Sequence, residues 1–178
     1  MNAQINMPIG TPSVPGFDPK QLRAAFGAFP TGVTVITTRA ADGRKVGLTA
    51  NSFSSLSMDP PLLLWSLRKE APSRADFVAG SHFAINVLAH DQIGLSRRFA
   101  TPLEDKFEGI AHHAAEAAGV PCLDGVSARF VCRNEGHYNG GDHVIFIGRI
   151  ERFESWDRAP LAFHAGRYRT IADHPDSI

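Results

Sequence analysis

The chain has 178 residues, 43% hydrophobic and 20% charged, which suits one ordinary globular domain with a real core. Eighteen basic residues balance eighteen acidic ones, so no net charge draws it to nucleic acid or an anionic membrane. The longest apolar runs, such as Leu62-Leu63-Leu64-Trp65, are too short to cross a bilayer.

Residues 1–16 carry three prolines and two glycines without a periodic apolar face, and are expected to form an extended N-terminal arm. They also lack the basic start and apolar stretch of a secretory signal, so a cytoplasmic location is expected. The rest, 17–178, reads as a single domain. Asp18 can cap a helix that Pro19 begins, with Leu22, Ala25, Phe26 and Phe29 as one stripe, and Pro30 and Gly32 stop it. The β-branched run Val33–Thr38 predicts a strand, and Asp42-Gly43 a turn before a second strand at Val46–Thr49. Phe53–Leu56 and Leu62–Leu67 predict two more strands, divided by Asp59-Pro60-Pro61.

Ala75–Ala79 predicts a short helix closed by Gly80, and Phe83–Leu88 a strand. Asp91 is expected to cap a helix through Leu95 and Phe99, with Arg97 and Arg98 at its end. A further helix is expected around Ala111–Ala118, then strands at Ser127–Cys132 and Val144–Phe153 separated by Asn139-Gly140-Gly141. Strands in adjacent hairpin-like pairs, without βαβ alternation, predict a mainly β (α+β) fold: an antiparallel barrel with peripheral helices. Val144-Ile145-Phe146-Ile147 is apolar on both faces and needs cover on both sides, either inside the barrel or from another subunit.

No Rossmann, P-loop, nucleophile-elbow or zinc-helix motif occurs. The adjacent His112-His113 pair would point apart on a helix, and Cys122 and Cys132 fit no metal or redox spacing, so no metal site is expected and both thiols read as reduced. Thr49-Ala50-Asn51-Ser52-Phe53-Ser54-Ser55 is the densest polar cluster, read either as a solvated turn or as donors for a phosphate or flat heterocycle. Pro30-Thr31-Gly32-Val33-Thr34 is a small-residue turn into a strand, where a ring could approach the backbone. In Gly140-Gly141-Asp142-His143, Asp142 can orient an imidazole that donates to a ligand, or the loop simply carries a histidine.

The ordered segments Phe29–Thr38, Gly47–Leu62, Phe83–Leu88, Gln92–Phe99, Gly141-Asp142-His143 and Pro160-Leu161 resemble the short-chain flavin reductases that serve two-component aromatic monooxygenases. The resemblance runs from Phe17 to Tyr168. It implies a split β-barrel, used as a homodimer with flavin near the interface, and an NAD(P)H:flavin oxidoreductase supplying reduced FMN or FAD to a partner monooxygenase. NADH is favoured, with NADPH the alternative, because no 2′-phosphate clamp is recognisable.

By position, the resemblance implies that Thr31, Gly32, Val33, Thr34, Val35, Thr37, Thr49, Ala50 and Asn51 line the flavin ring. Ser52, Ser54, Ser55, Arg98 and Phe99 would hold the phosphate side, and Asn86, Val87, Leu88 and Gln92 the wall. His143, with Tyr168, would face the nicotinamide, His143 as the catalytic residue. Val144 to Ile147 is expected in the dimer interface. Two other readings stay open: an oxidase with tightly held FMN on a related barrel, and a non-enzymatic flavin- or haem-binding module.

Overall fold

The computed structural model describes residue 16 and residues 18–176, so the expected arm, apart from Gly16, lies outside the described residues. Helix α1 (Pro19–Gly27) begins as the sequence predicts, with Asp18 Oδ1 accepting from the Lys20 amide at 2.8 Å. Its apolar stripe is not buried on its own chain: Phe26 is 71% and Phe29 75% exposed.

The body is a seven-stranded antiparallel sheet in the order β3-β2-β6-β9-β10-β5-β4. These are β2 (Thr34–Arg39), β3 (Lys45–Ala50), β4 (Ser54–Met58), β5 (Pro61–Arg68), β6 (His82–Val87), β9 (Ala128–Gly140) and β10 (His143–Ser155). A small sheet joins β1 (Thr31–Gly32) to the hairpin β11 (Ala162–His164) and β12 (Arg167–Arg169), and β7 (His112–Ala114) pairs with β8 (Pro121–Leu123). Helices α2 (Arg74–Ala79) and α3 (Ile93–Ala100) sit at the periphery. The sheet curls without closing, and the architecture is the split barrel expected from the sequence.

The β-branched and aromatic positions explain the core. Trp65 stacks on Phe146 at 4.5 Å and meets Phe77 and Phe83 edge-on at 5.0 and 5.7 Å, joining β5, β10, α2 and β6 around one buried indole. Val144 and Phe146 point into this cluster, while Ile145 and Ile147 are half-buried on the opposite face. One face of that run is thus covered by the core, while the other, carrying Ile145 and Ile147, is only half-covered within the single chain.

Three expectations about elements fail for identifiable reasons. Ala111–Ala118 is not a helix but strand β7 and a turn, in which Ala118 has φ 51° and Gly119 φ 61°. Alanine's helix propensity is outweighed by tertiary contacts: Val120 and Cys122 are buried, and His113 Nδ1 and Nε2 lie 2.9 Å from Asp124 and 3.1 Å from Arg129. Strand β9 continues past Cys132 to Gly140, because its polar outer half pairs with β10 as a long hairpin carrying ion pairs such as Arg149–Glu135. Asp91 does not cap α3. It pairs with Arg158 at 2.7 Å, and Gln92 precedes the helix.

Gly148 lies where β10 crosses the core: a Cβ there would fall 2.5 Å from the Phe83 ring and 2.9 Å from Cys132 Cβ. Gly148→Ala is expected to lower unfolding free energy by about 1–3 kcal/mol through overpacking. A urea midpoint equal to that of the parent chain would contradict this packing.

Candidate functional site

The site follows from how the sheet ends. Strand β4 pairs with β5 only between Ser54↔Leu64 and Met58↔Pro61, so Trp65 to Arg68 have no strand on that side. Strand β3 is the other edge of the sheet. The two edges border one groove of ≈ 1320 Å³, lined by the run from Arg44 to Ser52 and by Ser66 to Arg68. They are latched at one point, where Ser52 Oγ donates to the Ser66 carbonyl at 3.0 Å and accepts from its amide at 2.9 Å.

One wall is the end of α3 and the loop after it. Thr49 Oγ1 donates to the Ser96 carbonyl at 2.7 Å, tying β3 to α3. Gly47 is needed at this junction, because a Cβ would fall 2.7 Å from the Phe99 ring and 3.2 Å from Phe107. Arg98 holds the following loop by donating to the carbonyls of Lys106 at 2.7 Å, Glu108 at 2.9 Å and Asp105 at 3.3 Å. The opposite wall comes from Ala71 to Ser73 and Asp76.

His143 lies at the β9–β10 end. Gly140-Gly141-Asp142-His143 is a two-residue hairpin loop whose first central residue, Gly141, has φ 61°, a conformation suited to glycine. Register sets His143 opposite Arg68 on β5, at the groove. Its Nδ1 is 2.7 Å from Asp142 Oδ1. That hydrogen bond and the imidazole's charge hold the Asp142 carboxyl below its ordinary value of 3.8. An ionised carboxylate only accepts, so Nδ1 carries the proton and Nε2 is left for a ligand.

Of the residues singled out in the sequence, Thr49, Ala50, Asn51, Ser52, Phe99 and His143 line this groove. Ser52 has its hydroxyl engaged by Ser66 in both directions. Val33, Val35, Thr37, Asn86 and Leu88 are buried. The Thr37 hydroxyl binds the Pro121 carbonyl, and Asn86 is held by Val35, Thr37 and the Leu123 amide, so both are structural polar groups of the core. Thr34 is buried and donates to the Ala50 carbonyl. Val87 is half-buried against the core.

The remaining expected residues also lie outside the groove lining. Ser54 and Ser55 are exposed on β4. Thr31 and Gly32 form β1, with Thr31 Oγ1 accepting from Asn51. Gln92 organises its own loop through Ala89 and Asp124. The Tyr168 hydroxyl is 2.9 Å from Ser96 Oγ, which docks the β11–β12 hairpin on α3. Sequence reasoning missed the charged lining, Arg44, Lys45, Arg68 and Lys106, because isolated cations in turns and at strand ends carry no periodic signal. Among the described residues no three His, Cys, Asp or Glu side chains gather to hold a metal ion, and no helix is long and apolar enough to cross a membrane.

Residues 26–172 match the flavin reductase like domain. The chain belongs to that family. It is 46% identical over 153 residues to the reductase component of the flavin-dependent trigonelline monooxygenase of Acinetobacter baylyi, covering 86% of this chain and 49% of that protein. It is 41% identical to an NADH-dependent FMN reductase of Agrobacterium fabrum, covering 92% of this chain and 93% of that one. A solved NADH:FAD oxidoreductase of Streptomyces globisporus, in complex with NAD and FAD fragments, superposes with a TM-score of 0.83 at 39% identity, covering 90% of this chain and 98% of that chain. Several curated relatives are longer: the chain spans 49%, 66% and 49% of three of them.

The Asp142–His143 pair predicts a titration. The folded pKa of Asp142 is depressed, so the stabilisation from its ionised form is present above the unfolded value and lost as pH falls through the folded one. By NMR the Asp142 carboxyl should titrate below 3.8 in this chain and move up toward that value in His143→Ala. Equal midpoints in the two proteins would mean that the pair is not formed in solution.

Proposed function

We propose that this chain is an NAD(P)H:flavin oxidoreductase that reduces FMN or FAD and releases it to a partner monooxygenase. The observation that carries the reading is the groove between the strand edges, ≈ 1320 Å³, with His143 at one end. Single-ligand pockets span roughly 300–1,000 Å³, so this one has room for two ligands side by side. Its open side suits a reduced product that must leave. Relatives named as NADH-dependent FMN and FAD reductases support both flavins and NADH as the donor; NADPH is the alternative donor.

The cofactors supply the chemistry: one hydride passes from the nicotinamide C4 to flavin N5 and one proton is taken up, leaving oxidised nicotinamide and reduced flavin. The chain's own part is alignment and electrostatics. The exposed edges of β3 and β5 can offer backbone groups to the polar rim of a flat ring, as an added strand would meet them. Thr49 and Asn51 flank that edge. Asp142 fixes the His143 ring so that Nε2 can orient the nicotinamide or, when protonated, donate toward developing negative charge.

The active unit of this reading is a homodimer. Asn51 Nδ2 donates to Thr31 Oγ1 at 3.3 Å, joining the segment that carries Phe29 to the one that carries Phe53. Phe53 stacks on Phe130 at 5.7 Å, and Phe130 lies opposite Phe153, itself 70% exposed. The exposed rings of Phe26, Phe29 and Phe153 are apolar surface that a two-fold partner would cover. The two cysteines are free and buried, which supports a reducing, cytoplasmic setting.

Purified protein should oxidise NADH only when FMN, FAD or riboflavin is added. Lack of turnover with every flavin and both nicotinamides would end this reading. His143→Ala should lower that turnover by about 10- to 1,000-fold, the scale of one lost transition-state donor, with little change in flavin affinity. Unchanged kinetics would make His143 an ordinary turn residue. Sedimentation should give a dimer, and Phe153→Glu a monomer. A fully active monomeric parent would rule the dimer out.

A further inference from the structure

We infer that Lys45 and Lys106 form the phosphate subsite of the groove, binding a phosphate ester of a nucleotide; this rests on the flavin-reductase reading above. The groove is charged although the chain is neutral: Arg44, Lys45, Arg68 and Lys106 line it against Asp76 and Glu104. Arg44 is already neutralised, with Asp42 at 2.7 Å and Asp76 at 3.4 Å. Arg68 lies with His143 at the hairpin end. Among the described residues, neither lysine has a carboxylate partner.

What the lysines do contact are neutral groups. Lys106 Nζ donates to the Phe99 carbonyl at 2.8 Å, and burial lowers its pKa from the ordinary lysine value. Lys45 Nζ lies 3.3 Å from His112 Nε2 and 5.4 Å from the centre of the Phe107 ring. His112 Nδ1 is 2.6 Å from the Ile110 carbonyl, which can only accept, so Nδ1 donates there and Nε2 faces the Lys45 ammonium. Phe107 is 2% exposed and packs edge-on against Phe99 at 5.0 Å, so the residue linking the two lysines is fixed in the core. Each ammonium has three donors, and each has only one neutral partner here, leaving donors for an anion. Lys106 is half-buried, and a half-desolvated cation without a counter-charge is unfavourable until an anion arrives, while Lys45 beside it is exposed to meet one.

Of the residues that the family resemblance assigns to the phosphate side, only Ser52 and Phe99 line the groove. The Ser52 hydroxyl is closed on Ser66, and Ser54 and Ser55 are exposed on β4 and do not line the groove. Arg98 is turned to the carbonyls of Asp105, Lys106 and Glu108, which makes it the positioning residue for the loop that presents Lys106.

The test compares Lys45→Gln, Lys106→Gln and the double variant with Lys69→Gln, a lysine that does not line the groove. Glutamine at 106 retains a donor for the Phe99 carbonyl, and circular dichroism melting checks the fold. If the phosphate is the flavin's, each groove variant should weaken FMN binding by about tenfold, the scale of one charged hydrogen bond, and leave riboflavin within about twofold. If it is the nicotinamide dinucleotide's, the NADH KM rises instead and both flavins are unmoved. Equal losses for FMN and riboflavin, or no loss in any ligand, overturn the subsite. Inorganic pyrophosphate followed by NMR gives a readout independent of turnover: it should bind the parent chain and not the double variant. A parent chain that binds pyrophosphate but reduces no flavin overturns the reductase reading alone, whereas equal pyrophosphate binding to the double variant overturns the subsite alone.

Discussion

The hydroxyl of Ser52 holds together two strand edges that do not pair. Bonded to both the amide and the carbonyl of Ser66, it stands in for a missing rung between the β3 end and β5. Unpaired edges are normally hazards to be covered or blunted. Here the space between them is walled by α3 and its loop on one side and the α2 entrance on the other. The barrel stays open along this line because β4 ends its pairing at Leu64. Everything proposed about ligand binding depends on that early end.

The aromatic core makes the opening tolerable. Trp65 and Phe146 stack across neighbouring strands, and Phe77 and Phe83 close around them, so the sheet is held rigid just behind its unpaired edge. Burying such rings brings in apolar area on the scale of 150–250 Å² each, enough to dominate local energetics. The groove is therefore a gap in a stiff body. That stiffness suits a reaction in which the protein's main task is to align two rings.

Much of the fold was legible in the residues, and the exceptions share a cause. Val33–Thr38 and Leu62–Leu67 declared their strands by β-branching and apolar runs, and Asp18-Pro19 declared a helix start, because these signals are local. Ala111–Ala118 misled because alanine's helix preference, a fraction of a kcal/mol per residue, was outweighed by contacts made far along the chain. The outer half of β9 was hidden by its polarity: Arg133 and Glu135 carry no strand signal of their own and are held by ion pairs within the hairpin. In the site, Gly140-Gly141 did locate His143, since a tight turn has a strict glycine requirement. Thr37, Asn86 and Leu88 belong to strongly patterned segments, but sequence pattern does not distinguish the floor of a core from the lining of a groove. The lysines were silent because exposed cations are the commonest of surface residues.

Gly47 also bears on how this scaffold can be altered. With the Phe99 ring 2.7 Å from where a Cβ would stand, backbone and ring are in direct contact across the junction of β3 and α3. The distance between strand edge and helix is thus set by the edge of one phenyl ring. Any side chain at position 47 would act as a shim, pressing on Phe99 and Phe107 and so on α3 and its trailing loop. Channel width in this protein is therefore set at one position of the groove wall itself.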